Sequence, residues 1–180
     1  MSPLPPFEQD TGCPPPGRHA MTWDEVEASL VLADRFGSSA VRGVLWDELQ
    51  ALRAMVELLA GRPASRVWLA GSFVSSKLDP SDIDVTYLLE AEAYGAISEQ
   101  DDLADLANLE DREWCFRNQM RIDAYVLSLP ATQDFRSLGV TGAMATGDAE
   151  VFQRLGLYDE IWQRCRVGNG RRRGYVEVSQ

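Results

Sequence analysis

Asp82 and Asp84 are the two side chains best placed for chemistry in this chain of 180 residues. They stand two apart at the head of the run Asp82-Ile83-Asp84-Val85-Thr86-Tyr87-Leu88-Leu89. In an extended strand residues i and i+2 face the same side, so both carboxylates share one space. Like charges that close together are costly unless a cation lies between them, and hard oxygen ligands of this kind suit Mg²⁺. Ahead of the pair, Val67, Trp68, Leu69 and Ala70 form a short apolar run that stops at Gly71, the pattern of a buried strand bounded by a turn. Gly71 lets the backbone turn sharply and approach a ligand, and Ser72 adds a small hydroxyl. Lys77, in the loop between turn and carboxylates, stands either against a phosphate or in solvent. The plainer alternative for the aspartates is turn capping, a habit of sequences such as Asp79-Pro80-Ser81-Asp82.

A Gly-Ser turn facing Asp-x-Asp resembles the core motif of the DNA polymerase β-type nucleotidyltransferase superfamily. The match comprises Gly71, Ser72, Asp82 and Asp84, with Asp123 as a third aspartate inside the strand-like run Met120-Arg-Ile-Asp-Ala-Tyr-Val-Leu127. The wording Gly71-Ser-Phe-Val-x-x-Lys77-x-x-Pro80-x-Asp82-Ile-Asp84-Val85 is closer still to a bacterial family of uncharacterised nucleotidyltransferase-like proteins. The chain is similar to that family also in Pro15-Pro-Gly-x-His19-x-x-Thr22-Trp23 and in Arg173-Gly-Tyr-Val-Glu-Val178. The resemblance implies metal-dependent transfer of an NMP from an NTP to a hydroxyl acceptor: a protein, a tRNA or a small molecule. It implies that Asp82, Asp84 and Asp123 hold Mg²⁺ or Mn²⁺, that Asp123 helps to deprotonate the acceptor, and that Gly71 and Ser72 hold the nucleotide's phosphates with Lys77 nearby. Many relatives in the superfamily carry an Arg or Gly near Lys77; here Phe73, Val74, Ser75 and Ser76 come first. The second reading is a catalytically inactive nucleotide-binding or protein-interaction module, such as a toxin–antitoxin or phage-defence component. The third, an acidic interaction domain with a chance motif, requires Asp82 and Asp84 to open into solvent with no cleft beside Gly71.

The elements that must position these residues follow from pattern. Residues 1–18 hold six prolines, which forbid a helix and favour an extended or mobile arm; residues 19–180 make one domain. His19, the single histidine, has no second histidine for a metal and reads as structural. Thr22-Trp-Asp-Glu25 is a capping box for a helix to about Phe36. A second helix to about Ala60 carries the stripe Val41, Leu45, Leu49, Leu52, Val56 and Leu59, and Gly61-Arg62-Pro63 stops it. Residues 90–113 are acidic, with a helix expected from about Glu99 on Leu103, Leu106 and Leu109; their carboxylates read as a solvated face with nothing to order them. Asp123, Tyr125 and Leu127 share one strand face, and whether it is the face of Asp84 depends on register. Residues 131–147 are turn-rich, Asp148 is placed to cap a last helix, and Tyr175–Val178 alternate like an edge strand. Arg164, Arg166, Arg171, Arg172 and Arg173 form the one basic cluster, for a phosphate, a nucleic acid or an acidic partner, or merely to balance acidic neighbours. The sum is an α/β (α+β) fold, a small mixed sheet with helices mainly on one side, nucleotidyltransferase-like.

Bulk numbers bound the rest. Apolar residues at 45% and charged residues at 25% are ordinary for a globular domain. A net charge of −11 argues against a strong grip on long nucleic acid. No stretch approaches the roughly 20 apolar residues a membrane helix needs, and no signal peptide is evident. Cys13, Cys115 and Cys165 are scattered without a Cys-x-x-Cys, which suits reduced thiols in the cytoplasm.

Overall fold

The computed structural model describes residues 4–97, 100–131, 146–165 and 170–179, without the side chains of residues 100, 101 and 146. Five strands form one mixed sheet: β1 (Gly17–Met21), β2 (Arg66–Ala70), β3 (Ile83–Leu89), β4 (Ile122–Ser128) and β5 (Gly174–Ser179), in the order β1-β5-β2-β3-β4. β1 runs parallel to β5 and β3 parallel to β4; the other two pairings are antiparallel. Six α-helices lie among the described residues: α1 (Trp23–Leu30), α2 (Arg42–Ala60), α3 (Ala91–Ala96), α4 (Gln100–Glu110), α5 (Arg112–Arg117) and α6 (Thr146–Trp162). This is the mixed α/β architecture expected from the pattern. β5 is not an edge strand, however. β1 covers its outer side, so Tyr175, Val176 and Val178 are all buried.

Strand alternation sorts the residues onto two faces. Ile83, Val85, Tyr87 and Leu89 of β3 meet the α2 stripe Leu45, Leu49, Leu52 and Val56 in the larger core, together with Val26 and Leu30 of α1 and Leu106 and Leu109 of α4. Each fully buried aliphatic side chain there contributes about 1.5–3 kcal/mol. On the opposite face Trp68, Leu88, Leu127 and Tyr175 form a smaller core with Trp162 of α6. Trp162 donates its indole N–H to Thr86 Oγ1 at 2.9 Å, which locks α6 to the centre of β3. Asp84 and Asp123 belong to this second face.

Several local outcomes differ from the sequence pattern for identifiable reasons. The capping box at Thr22 forms, but α1 stops at Leu30, whose carbonyl is taken by the Arg42 guanidinium at 2.7 Å; a 3₁₀ turn over Asp34–Phe36 follows. In α4, Leu106 and Leu109 are buried while Leu103 is 50% exposed, because a three-residue repeat drifts around a helix of 3.6 residues per turn. The short helices α3 and α5 carry no strong periodicity and were not foreseen. Asp148 does not cap α6, which already begins at Thr146; its carboxylate accepts the Ala131 N–H at 3.0 Å. Most of the turn-rich 131–147 stretch lies outside the described residues. The proline-rich arm has no helix, yet Leu4 and Cys13 are buried, the Gly12 carbonyl accepts the Ser76 N–H at 2.7 Å, and the expected boundary after residue 18 falls inside β1. Among the described residues no helix is long and apolar enough to cross a membrane.

Candidate active site

β2 ends at Ala70, which pairs with Asp84, and the next residue must leave the sheet around that carboxylate. Gly71 does so with φ +70, and Asp84 Oδ2 fills the space a side chain at residue 71 would need, 1.6 Å from where a β-carbon would stand. Only glycine fits this seat. Asp84 is 7% exposed. Beside it the Ser72 Oγ is shielded from solvent, and no described group pairs with it. A buried hydroxyl left unpaired costs about 1–3 kcal/mol, a cost that a ligand's acceptor atom would relieve.

The loop after Gly71 is held by Arg42, which is 1% exposed. Its guanidinium donates to the carbonyls of Leu30, Phe73, Ser75, Lys77 and Leu78 at 2.6–3.1 Å and lies 3.7 Å from the Phe36 ring centroid. Burial, then the neighbouring charge of Arg35, lowers its pKa to about 10, so it stays cationic at neutral pH. Ser75 Oγ donates to the Ser72 carbonyl at 2.6 Å. Asp79 ties this loop to the segment before α2: its carboxylate accepts from Ser39 Oγ and the Ala40 N–H, at 2.8 and 3.3 Å. The loop backbone is therefore fixed, while the exposed Lys77 side chain faces the cleft.

The register pairs Asp84 with Asp123 directly across β3 and β4, so their side chains leave the same face. They are not equivalent in surroundings. Asp84 lines the cleft beside Gly71, and Asp123 does not. Asp123 instead stands beside Tyr125; burial, then the charge of Asp123, pushes that phenol up to about 12. Asp82 stands just before β3 with 20% of its side chain exposed, its Oδ2 2.9 Å from Arg112 Nη2. Among the described residues no three His, Cys, Asp or Glu side chains are grouped as a metal site. Two carboxylates on one cleft do fit Mg²⁺, which commonly takes one or two carboxylates, several waters and the phosphates of a substrate.

The cleft measures about 400 Å³, within the range of small-molecule sites. Gly71, Ser72, Lys77, Asp82 and Asp84 line one part of it; Arg112, Arg173, Thr11, Cys13 and Cys165 complete it. Asp82 and Asp84 thus share a cleft with Gly71 and do not open freely into solvent, as an acidic domain with a chance motif would require. Lys77, Arg112 and Arg173 place three cations around the carboxylates of a chain with net charge −11. Within the terminal arginine cluster, Arg164 and Arg172 pair with Glu160, Arg171 with Asp10, and only Arg173 lines the cleft; Arg166 lies outside the described residues. His19 bonds the Pro15 carbonyl at 2.8 Å and is not part of the cleft. The acidic stretch is more ordered than its composition suggests, since Glu110 accepts the Val126 N–H at 2.8 Å and Asp111 caps α5.

Sequence reasoning missed Arg42 and Arg112 as parts of the site, and offered Arg173 only as one of five arginines for a phosphate or a partner. Arg42 left a signal: it stands three residues before Leu45, a cation in line with an apolar stripe. Arg112 left none, because its placement depends on contacts distant in sequence. No curated protein and no solved structure matches the chain significantly. The profile of a family of unknown function, DUF6932, matches residues 5–179, and the chain belongs to that family.

Proposed function

We propose that the protein is a metal-dependent nucleotidyltransferase that moves the NMP of an NTP onto a hydroxyl acceptor, with a nucleotidyltransferase-like sheet as its frame. The observation that carries this reading is the seat at Gly71, which brings an unpartnered Ser72 hydroxyl and the Asp84 carboxylate into one cleft with Asp82 and Lys77. The Ser72 hydroxyl and the turn's backbone N–H groups would hold triphosphate oxygens. Lys77, Arg112 and Arg173 would offset their charge. Asp82 and Asp84 would hold Mg²⁺ or Mn²⁺, which supplies Lewis acidity at the phosphates. To do so Asp82 gives up Arg112, leaving that guanidinium for a phosphate. The acceptor oxygen bonds to the α-phosphorus as the bond to pyrophosphate breaks, and Asp123 on the adjacent strand, turned from Tyr125 toward the cleft, takes the hydroxyl proton.

A second reading, a nucleotide-binding or interaction module without catalysis, is favoured by one observation: Asp123 stands beside Tyr125 and does not line the cleft. Thermal unfolding with each of the four NTPs, with and without Mg²⁺, tests both. A ligand at about a hundred times its Kd adds about 2.7 kcal/mol of stability. The enzyme reading expects a shift that needs NTP and Mg²⁺ together, disappears in Asp84→Asn, and is accompanied by pyrophosphate release that Asp123→Asn abolishes. A shift without turnover on protein, tRNA or small hydroxyl acceptors supports the second reading. No shift with any NTP sinks both nucleotide readings.

A further inference from the structure

Cys13 and Cys165 come from opposite ends of the chain and line the same cleft. Backbone bonds bring their segments together: the Gly174 N–H donates to the Pro14 carbonyl at 2.8 Å, and the Cys165 N–H to the Arg171 carbonyl at 2.9 Å. Arg171 in turn pairs with Asp10 at 2.8 Å. Both thiols border this cleft, close enough for the charge of one to act on the other. Both are free thiols, Cys13 buried and Cys165 partly exposed. The third cysteine, Cys115, is buried in the larger core on the other face of the sheet, where its thiol donates to the Leu109 carbonyl at 3.3 Å.

We propose that Cys13 and Cys165 are a redox pair that a peroxide converts to a disulfide, tying the N-terminal arm to the C-terminal segment along the cleft. The chemistry balances with hydrogen peroxide as oxidant. The Cys165 thiolate, the more accessible sulfur, attacks one peroxide oxygen; the O–O bond breaks, giving a sulfenic acid and hydroxide. The Cys13 sulfur then attacks the Cys165 sulfur, the S–O bond breaks, and the departing oxygen leaves with the Cys13 proton as water. Two thiols lose two electrons, and one peroxide becomes two waters. Burial raises the Cys165 thiol above its ordinary range, Cys13 and Glu8 add to this and Arg173 opposes it, so the first step is slow at neutral pH and accelerates in alkali. Thr11 and Arg173 line the same cleft, so a bridge there would tie together the two segments that carry them.

The test treats the full chain with hydrogen peroxide, counts thiols under denaturing conditions, and maps them by mass spectrometry after alkylation. The expected count falls from three to one, with a single cross-linked peptide pair joining Cys13 to Cys165, and dithiothreitol restores all three. Unfolding of the oxidised protein shifts to higher temperature, because the bridge restrains nearly the whole unfolded chain. In Cys13→Ser the Cys165 oxidation stops at a sulfenic acid that dimedone captures; in Cys165→Ser the thiol count stays at two. A bridge that includes Cys115, a count that stays at three, or separate sulfinic acids at Cys13 and Cys165 would each overturn the proposal.

Discussion

Replacing Gly71 by alanine puts a β-carbon 1.6 Å from Asp84 Oδ2 and holds a side chain at a positive φ. The backbone strain alone costs about 1–3 kcal/mol. The expected outcome is a lower urea midpoint and loss of any NTP-dependent stabilisation, because the carboxylate must leave its seat; a variant that keeps both would contradict the role given to Gly71. Tyr125 offers a second test at this scale. The folded protein holds its phenol neutral beside Asp123, so the stability it adds is complete below about pH 10 and is lost as pH rises toward 12. Tyr87, Tyr158 and Tyr175 are raised as well, mainly by burial, and the wild type is therefore expected to weaken steeply above pH 10. Urea unfolding from pH 9 to 11.5 should show a shallower loss in Tyr125→Phe; an unchanged slope would mean that the folded protein does not hold this phenol neutral. Gly71, Ser72, Asp82 and Asp84 were legible in the sequence because their relation is local: a turn, a loop and an i, i+2 spacing. The face of Asp123 was not, since one step of register between β3 and β4 would have turned it away.

Among the elements, α2 was the easiest to read and the arm the hardest. The α2 stripe obeys a local period and ends at a left-handed Gly61. Proline content says only that residues 1–16 form no helix. Whether such a segment docks depends on what it meets, here Ser76 of the site loop and the end of β5. Removing residues 1–16 takes away the buried Leu4 and strands the Ser76 N–H without its carbonyl. The truncated chain is expected to lose about 3 kcal/mol of stability by denaturant unfolding. A truncation without measurable cost would show that the arm is an appendage after all. β5 was misplaced for the same reason: alternation reveals a strand but not its neighbours, and its partner β1 lies at the far end of the sequence.

Across the whole molecule the composition gave the class and little about arrangement. A mixed sheet with helices was readable from alternating periods; the strand order was not, because it is decided by pairings between the chain's two ends. Charge is arranged against its own average, with cations drawn into the cleft of an acidic protein. The strand order has a consequence for how the protein comes into being. A growing chain carries β1 first and β5 last, and β5 belongs between β1 and β2. Until it arrives, β1 has no strand beside it, β2 offers a bare flank, and Cys165 and Arg173 have not yet reached the cleft. The antiparallel and parallel pairs of β2, β3 and β4 can assemble early and place Asp84 opposite Asp123, but the pocket around them stays open on one side. A nascent chain that has not yet made β5 therefore lacks a closed cleft, and the cleft's assembly waits on that strand.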